Sequence, residues 1–479
     1  MFAKRQRKVT MPIALDRFSV IGLHGRRNLN VEIHSNRLIL VGENGTGKST
    51  FATLVYYFLT RQWSRTRTFK FDALQATLNG QEIRVTPEIL ESHSEQAERI
   101  TSLTRRFPLG YRHGLMSLMR ERGLDELLDD PFILASAAED MGLPTRVVRE
   151  YIMSMWNESE GAKSELSKIN EVIGSFVTEQ VLFLPTYRRI EQDLKTIFRG
   201  MESDIAKMRE RLAVARTSSK SIELVEFGME DVVKAISLRM DQVKESVRTG
   251  LNSLTGTYLR DVIKGDFVNV NVENLQALSR VTLNSIFARI DEETLPSYYK
   301  SRLIQKVEEI AERHTIEAGD TVVAHFLLKL FEFYKAQQES ERDVREFVRV
   351  CNGYLTGKIM VYDNINYKIF ISQSDFIGDD SPENGEELEL KSLSSGEKQI
   401  VSLFSHIYLS GKRGFFVIID EPELSLSVPW QRKFLTDILA TGECNGLIAV
   451  THSPFIWENE LEQFVHSLSE FASRSDVIR

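Results

Sequence analysis

The chain has 479 residues, 42% of them hydrophobic and 27% charged, ordinary proportions that exclude wholesale disorder. Sixty basic against 68 acidic residues leave a net charge of −8, so no global positive field marks a nucleic-acid coat, although a local basic face stays open. Only Cys351 and Cys444 are present, which excludes a disulfide framework and fits a reducing compartment.

The longest apolar runs, such as Phe415–Ile419, fall far short of the ~20 residues of a membrane-spanning helix. Lys4, Arg5, Arg7 and Lys8 are not followed by the apolar stretch of a secretion signal. A cytoplasmic protein without a membrane span is expected. At ~100–200 residues per domain, the length suggests two to four units.

Residues 14–42 read as short strands, and Leu38–Val41 is continuously apolar, as a buried central strand is. Phe51–Thr60 reads as helix. Ala73–Leu78 and Glu82–Val85 flank Asn79-Gly80-Gln81, a hairpin signal. Pro87 opens a charged, helix-periodic stretch with breaks near Gly123, Pro131 and Pro144, which ends before the apolar strand Val181–Leu184. Residues 190–350 are polar and mostly helical, with apolar spacings of three and four in Ile190–Ala215 and Met229–Val262. Between Arg188 and Asp266, 15 basic and 13 acidic residues balance, which reads first as a solvated helix face. Short helical arms fit this segment, and no heptad runs long enough to require a coiled coil. Lys358–Asp363 and Tyr367–Ser372 make a second hairpin, followed by an acidic surface loop from Asp375 to Glu387.

Gly42-Glu43-Asn44-Gly45-Thr46-Gly47-Lys48-Ser49 matches the phosphate-loop pattern and sits between a predicted strand and a predicted helix. Glycines let backbone N–H groups curl around phosphate oxygens, and the helix start adds a positive dipole end. Gly42, Asn44, Gly45, Thr46, Gly47, Lys48, Ser49 and Thr50 are the expected nucleotide contacts. Lys48 reaches the β- and γ-phosphates in such loops, and Ser49 ligates Mg²⁺.

Phe415–Ile419 is an apolar strand that ends in Asp420 and Glu421. The carboxyl edge of such a strand is where ligands bind. Asp420 is the expected Mg²⁺ partner, and Glu421 the expected base or water-orienting group. Leu393-Ser394-Ser395-Gly396-Glu397 precedes the apolar helical run Ile400–Leu409, and Ser394 with Glu397 forms a capping box. That arrangement caps a helix and also offers its N-terminus to a phosphate. Thr451-His452-Ser453 follows the buried strand Leu447–Val450; a histidine at a strand end is usually a structural polar residue, but His452 stands where a γ-phosphate sensor would be useful.

These pieces in this order resemble the ABC-type ATPase head. The resemblance implies an α/β fold, a mixed sheet with helices, split by large α-helical insertions. It implies ATP and Mg²⁺ as ligands, with two heads sandwiching two nucleotides in a homodimer or higher oligomer. Leu393–Glu397 would be the family's signature, in which Ser394 and Gly396 act across to the partner's phosphate loop and Ser395 and Glu397 are further candidate nucleotide contacts. Lys48, Ser49, Asp420, Glu421 and His452 would serve their own site. Ser395 stands where the family usually has Gly. Gln192, in Thr186-Tyr187-Arg188-Arg189-Ile190-Glu191-Gln192, is the candidate for the family's Mg²⁺-ligating glutamine.

The implied organisation is a head lobe over 1–86, a helical insertion over 87–178, a sensor strand and glutamine segment over 179–192, a helical arm over 193–354, and a second head lobe over 355–479. The large insertion resembles SMC and RecF-like ATPases, not transporter subunits. Leu184–Glu191, Ser395–Phe404 and Asp420–Leu426 look like bacterial anti-phage ATPases, the PtuA type of Septu and retron systems foremost and the AriA type of PARIS second. OLD ATPases share Asp-Glu-Pro-Glu but often continue Leu-His-Pro, where this chain has Leu426-Ser427-Val428-Pro429. The implied function is an ATP-hydrolysing defence subunit controlling a partner nuclease of HNH or TOPRIM type. The alternative is a RecF- or SMC-like DNA-repair ATPase, and direct nucleic-acid contact stays open.

Overall fold

The computed structural model describes residues 13–25, 27–43, 45–92, 145–146, 148–149, 165–185, 221–223, 229–269, 279–290, 292–293, 295–313, 315–317, 319–373 and 387–474. The chain forms two compact units. One contains residues 1–225 and 413–479, and the other contains 226–412.

The strands in chain order are β1 Leu15–Leu23, β2 Arg27–Glu32, β3 Arg37–Val41, β4 Ala73–Leu78, β5 Gln81–Val85, β6 Gln180–Leu184 and β7 Ser221–Glu223. They continue with β8 Lys358–Asp363, β9 Lys368–Gln373, β10 Glu387–Leu388, β11 Phe415–Asp420, β12 Cys444–Val450, β13 Val465–Ser467 and β14 Ala472–Arg474. The fold is mixed α/β, and among the described residues most of the helices lie in the second unit.

In the first unit a six-stranded sheet has the order β13-β3-β12-β11-β6-β7. Its strand pairs are all parallel. Every residue of β6 and β11 is buried, so these strands read as unbroken apolar runs instead of alternating ones. Register aligns their carboxyl ends: Val450 of β12 pairs with Leu40 of β3 and with Asp420 of β11. One sheet edge therefore receives the segments after β3, β11 and β12.

A five-stranded antiparallel sheet, ordered β14-β2-β1-β4-β5, forms the other layer. The helix Lys48–Leu59 carries apolar side chains to both sheets. Phe18 of β1 meets Phe51 and Phe58 edge-on at 5.6 and 5.4 Å, while Tyr56 stacks on Phe183 of β6 at 4.8 Å. Two residues connect β4 to β5: Asn79 at φ 50° and Gly80 at φ 77°. Left-handed conformations at both positions are what a tight hairpin turn needs.

The second unit contains the helices Met229–Lys264, Arg280–Phe287, Ser297–Arg313, Thr321–Ser340 and Arg342–Asn352. It also holds the small sheet β10-β9-β8 and the helix Ser395–Leu409. Leu283, Ile286, Phe287, Val307, Ile310, Ala324 and Leu327 make one of its cores. Arg289 pairs with fully buried Glu341 at 2.9 Å, and Arg239 pairs with Asp343 at 2.9 Å. The segment 355–412, expected with a second head lobe, belongs to this helical unit, and the chain returns to the first unit at Arg413. Among the described residues no helix is long and apolar enough to cross a membrane.

Candidate functional site

The segment between β3 and the helix Lys48–Leu59 turns on glycine. Gly42, Gly45 and Gly47 have φ of 142°, 78° and 101°. These values lie where a Cβ is strained, so the loop's curvature requires this residue type. Thr46 Oγ1 donates to the Glu43 carbonyl at 2.9 Å, which pins the turn. Gly47 is the helix N-cap, without a side-chain acceptor for the first N–H groups. Those groups point out of the helix start, where an anion is favoured.

Lys48 is 4% exposed, and its Nζ donates to the carbonyls of Gly42 and Glu43 at 2.8 Å each. Burial draws its pKa down, against the opposing pull of Asp420, Glu421 and Glu423. Ser49 Oγ donates to Asp420 Oδ1 at 2.9 Å, across 371 positions of sequence. A serine hydroxyl and a carboxylate oxygen thus stand side by side at the sheet edge. This is a donor set that fits a hard, phosphate-bound divalent cation.

Glu421 follows β11 in a left-handed conformation, φ 52°. Its N–H donates to the Val450 carbonyl at 2.8 Å. That bond holds an otherwise uncommon backbone geometry and turns the residue off the strand. Burial, then the charges of Asp420 and Glu423, push its carboxyl pKa up. His452 is exposed. Its main-chain N–H donates to Glu423 Oε1 at 2.7 Å, and Thr451 Oγ1 donates to Glu423 Oε2 at 2.7 Å. One carboxylate therefore anchors the whole turn after β12.

Leu23, His24, Arg27, Gly45, Thr46, Gly47, Lys48, Ser49, Thr50, Glu421 and His452 line one cavity of about 440 Å³. Of the expected loop residues, Gly45, Thr46, Gly47, Lys48, Ser49 and Thr50 meet Glu421 and His452 there, Asp420 joins them through Ser49, and Gly42 does not line the cavity. Asn44 and Gln192 lie outside the described residues. Sequence reasoning missed Leu23, His24 and Arg27, which the turn after β1 brings in, and the anchoring by Glu423. The visible signal was the third acid of Asp420-Glu421-Pro422-Glu423.

The profile of the AAA ATPase domain family matches residues 19–457. The chain belongs to the AAA ATPase domain family. Membership of this family implies nucleotide binding. No protein among the curated sequences matches the chain. Two solved structures align with it over most of both chains. One is the Smc head domain with an extended coiled coil bound to the C-terminal domain of ScpA from Pyrococcus furiosus. It has 10% identity, covers 93% of this chain and 91% of its own, and has a TM-score of 0.33. The other is the SmcHead bound to the C-winged helix domain of ScpA, with 9% identity, 92% and 90% coverage and a TM-score of 0.33. Likeness at that level assigns nothing to individual residues.

In the second unit of the ATPase, Ser394 caps the helix Ser395–Leu409 in a reciprocal capping box with Glu397. Ser394 and Ser395 are exposed, whereas Gly396 and Glu397 are buried. The exposed pair at the positive end of a 15-residue helix can meet an anion brought by another molecule.

Proposed function

We propose that the chain binds and hydrolyses ATP with Mg²⁺ in the cavity between the phosphate loop and the ends of β11 and β12. The observation that carries this reading is convergence: Lys48 and Ser49, Asp420 and Glu421, and His452 come from three separate segments to one sheet edge. The loop N–H groups and Lys48 would take the β- and γ-phosphates. Ser49 and Asp420 would hold the cation, which supplies neutralisation of phosphate charge when bound. Glu421, its carboxyl raised towards neutrality, would orient the attacking water and accept its proton. His452 would read the γ-phosphate from the opposite side.

The reading extends to two copies. Exposed Ser394 and Ser395 would complete a second copy's site, linking nucleotide binding to oligomer formation. Hydrolysis would remove the bridging γ-phosphate and release the heads. Support for a role in anti-phage defence, with an HNH or TOPRIM nuclease as partner in the cytoplasm, comes from the resemblance of Leu184–Glu191, Ser395–Phe404 and Asp420–Leu426 to PtuA- and AriA-type ATPases. A second reading, a DNA-repair ATPase, is favoured by one surface. Arg65, Arg67 and Lys70 are exposed, and Lys70 lies beside the cavity residue His24, whose N–H donates to its carbonyl at 2.8 Å. Turnover stimulated by duplex DNA would favour repair.

Lys48→Ala tests the site. The expected result is loss of nucleotide binding, turnover and phage protection together. A Lys48→Ala protein that hydrolyses ATP at the wild-type rate would refute the assignment.

A further inference from the structure

The capping box at Ser394 is asymmetric. Glu397 N–H donates to Ser394 Oγ at 3.4 Å, a long bond, whereas Ser394 N–H donates to Glu397 Oε2 at 2.7 Å. The carboxylate, not the hydroxyl, is the firm half. That carboxylate is 6% exposed in its side chain, and Lys358 Nζ donates to the same Oε2 at 2.9 Å. Burial pushes the Glu397 carboxyl up, but the Lys358 and Ser394 bonds outweigh it and hold it below its ordinary range. A buried charge that loses its opposite partner is strongly disfavoured.

Lys358 opens β8, directly after Gly357 at φ 68°. Its strand is tied at both polar groups of Met360: the Asn352 side-chain amide donates to the Met360 carbonyl at 2.8 Å, and Met360 N–H donates to Asn352 Oδ1 at 2.6 Å. Asn352 ends the helix Arg342–Asn352, whose Asp343 pairs with Arg239 of the long helix Met229–Lys264. The ammonium is therefore delivered to the signature from a fixed strand 39 positions upstream in sequence.

We propose that Lys358 is a positioning residue for the signature serine, holding the Glu397 carboxylate that fixes the Ser394 main chain at the helix start. This rests on the ATPase reading above, in which Ser394 meets a nucleotide held by a second copy. Lys358 touches no nucleotide in that arrangement and acts only through Glu397. Its removal leaves binding at the copy's own phosphate loop intact and impairs the step that needs Ser394.

The test uses the full chain and compares Lys358→Met, Lys358→Arg, Lys48→Ala and Ser394→Ala in steady-state ATP turnover against pH. Binding of a fluorescent ATP analogue and thermal unfolding are measured alongside. Lys358→Met should lower kcat by about 10- to 100-fold, the scale of a small misplacement of a reacting group. KM and analogue affinity should stay near wild type. The acid limb of kcat should also steepen, because Glu397 without Lys358 protonates at higher pH and adds its own loss to the limb the wild type already has. Lys358→Arg should restore most of the rate. Wild-type kcat in Lys358→Met overturns the role. So does a loss that Arg fails to rescue and that tracks unfolding with an unchanged pH profile.

If Lys358→Met does not fold, the double variant Lys358→Met/Glu397→Gln removes both charges and keeps an amide oxygen as acceptor. A kcat nearer wild type than Ser394→Ala supports the proposal, and one no higher than Ser394→Ala overturns it. If Lys48→Ala keeps full turnover, the ATPase reading fails. If Lys48→Ala and Ser394→Ala are dead and Lys358→Met is normal, only the role of Lys358 fails.

Discussion

Glu423 holds His452 by its main chain: the His452 N–H donates to Glu423 Oε1 at 2.7 Å, and the other carboxylate oxygen accepts from Thr451 Oγ1 at 2.7 Å. The imidazole that lines the cavity thus depends on a carboxylate 29 positions earlier. Glu423→Ala should free the turn after β12 and lower kcat by about 10²-fold, with nucleotide affinity less affected. Stopped-flow binding and single-turnover hydrolysis separate the two. Equal losses in both would mean that Glu423 supports the pocket as a whole and does not aim His452.

Ser49 and Asp420 offer their oxygens to one point at 2.9 Å separation. Asp420→Asn should therefore blunt the contribution of Mg²⁺ more than that of ATP. Calorimetric titration with ATP, with and without Mg²⁺, should show the magnesium-dependent gain in affinity reduced by about 10- to 100-fold. An unchanged gain would remove Asp420 from the cation site.

The pH dependence of turnover follows from Glu421. Burial, Asp420 and Glu423 raise its carboxyl pKa, and only the ionised form is a base. Activity should fall on an acid limb that lies above the ordinary carboxylate range. Glu423→Gln removes one of the raising charges, so the limb should move to lower pH. A limb that stays in place, measured as kcat against pH, would assign the titration to another group.

His406, in the signature helix, has its pKa drawn down from 6.5 to about 4 by burial, with Lys412 adding to the effect. The unfolded chain therefore binds a proton between those values that the folded chain refuses. Stability is full above 6.5 and is lost as pH falls towards about 4, a loss on the order of 3 kcal/mol. Calorimetry of the full chain should show a transition that softens across this window in the wild type and less in His406→Gln. An identical pH dependence in both proteins would contradict it.

Local patterns in the sequence reach part of this arrangement. The left-handed turn at Asn79-Gly80, the glycine-bent loop before Lys48 and the capping box at Ser394 each involve residues within a few positions, so spacing alone exposes them. Glu423 with Thr451, and Lys358 with Glu397, are 28 and 39 positions apart, and no period links them. His24 and Arg27 enter the cavity because β1 ends in a turn beside it, which strand periodicity does not reveal. The division at Arg413 was hidden for a similar reason. The hairpin β8–β9 and the signature helix read as head elements in sequence order, yet they pack with the helices of the second unit.

In the proposed function, ATP drives association of two copies through Ser394. The most direct measurement is the mass of Glu421→Gln in solution with and without Mg²⁺-ATP, alone and combined with Ser394→Ala. ATP should raise the mass of Glu421→Gln by a whole multiple of the protomer, and Ser394→Ala should abolish the rise. A mass indifferent to both ATP and Ser394 would contradict the two-copy site.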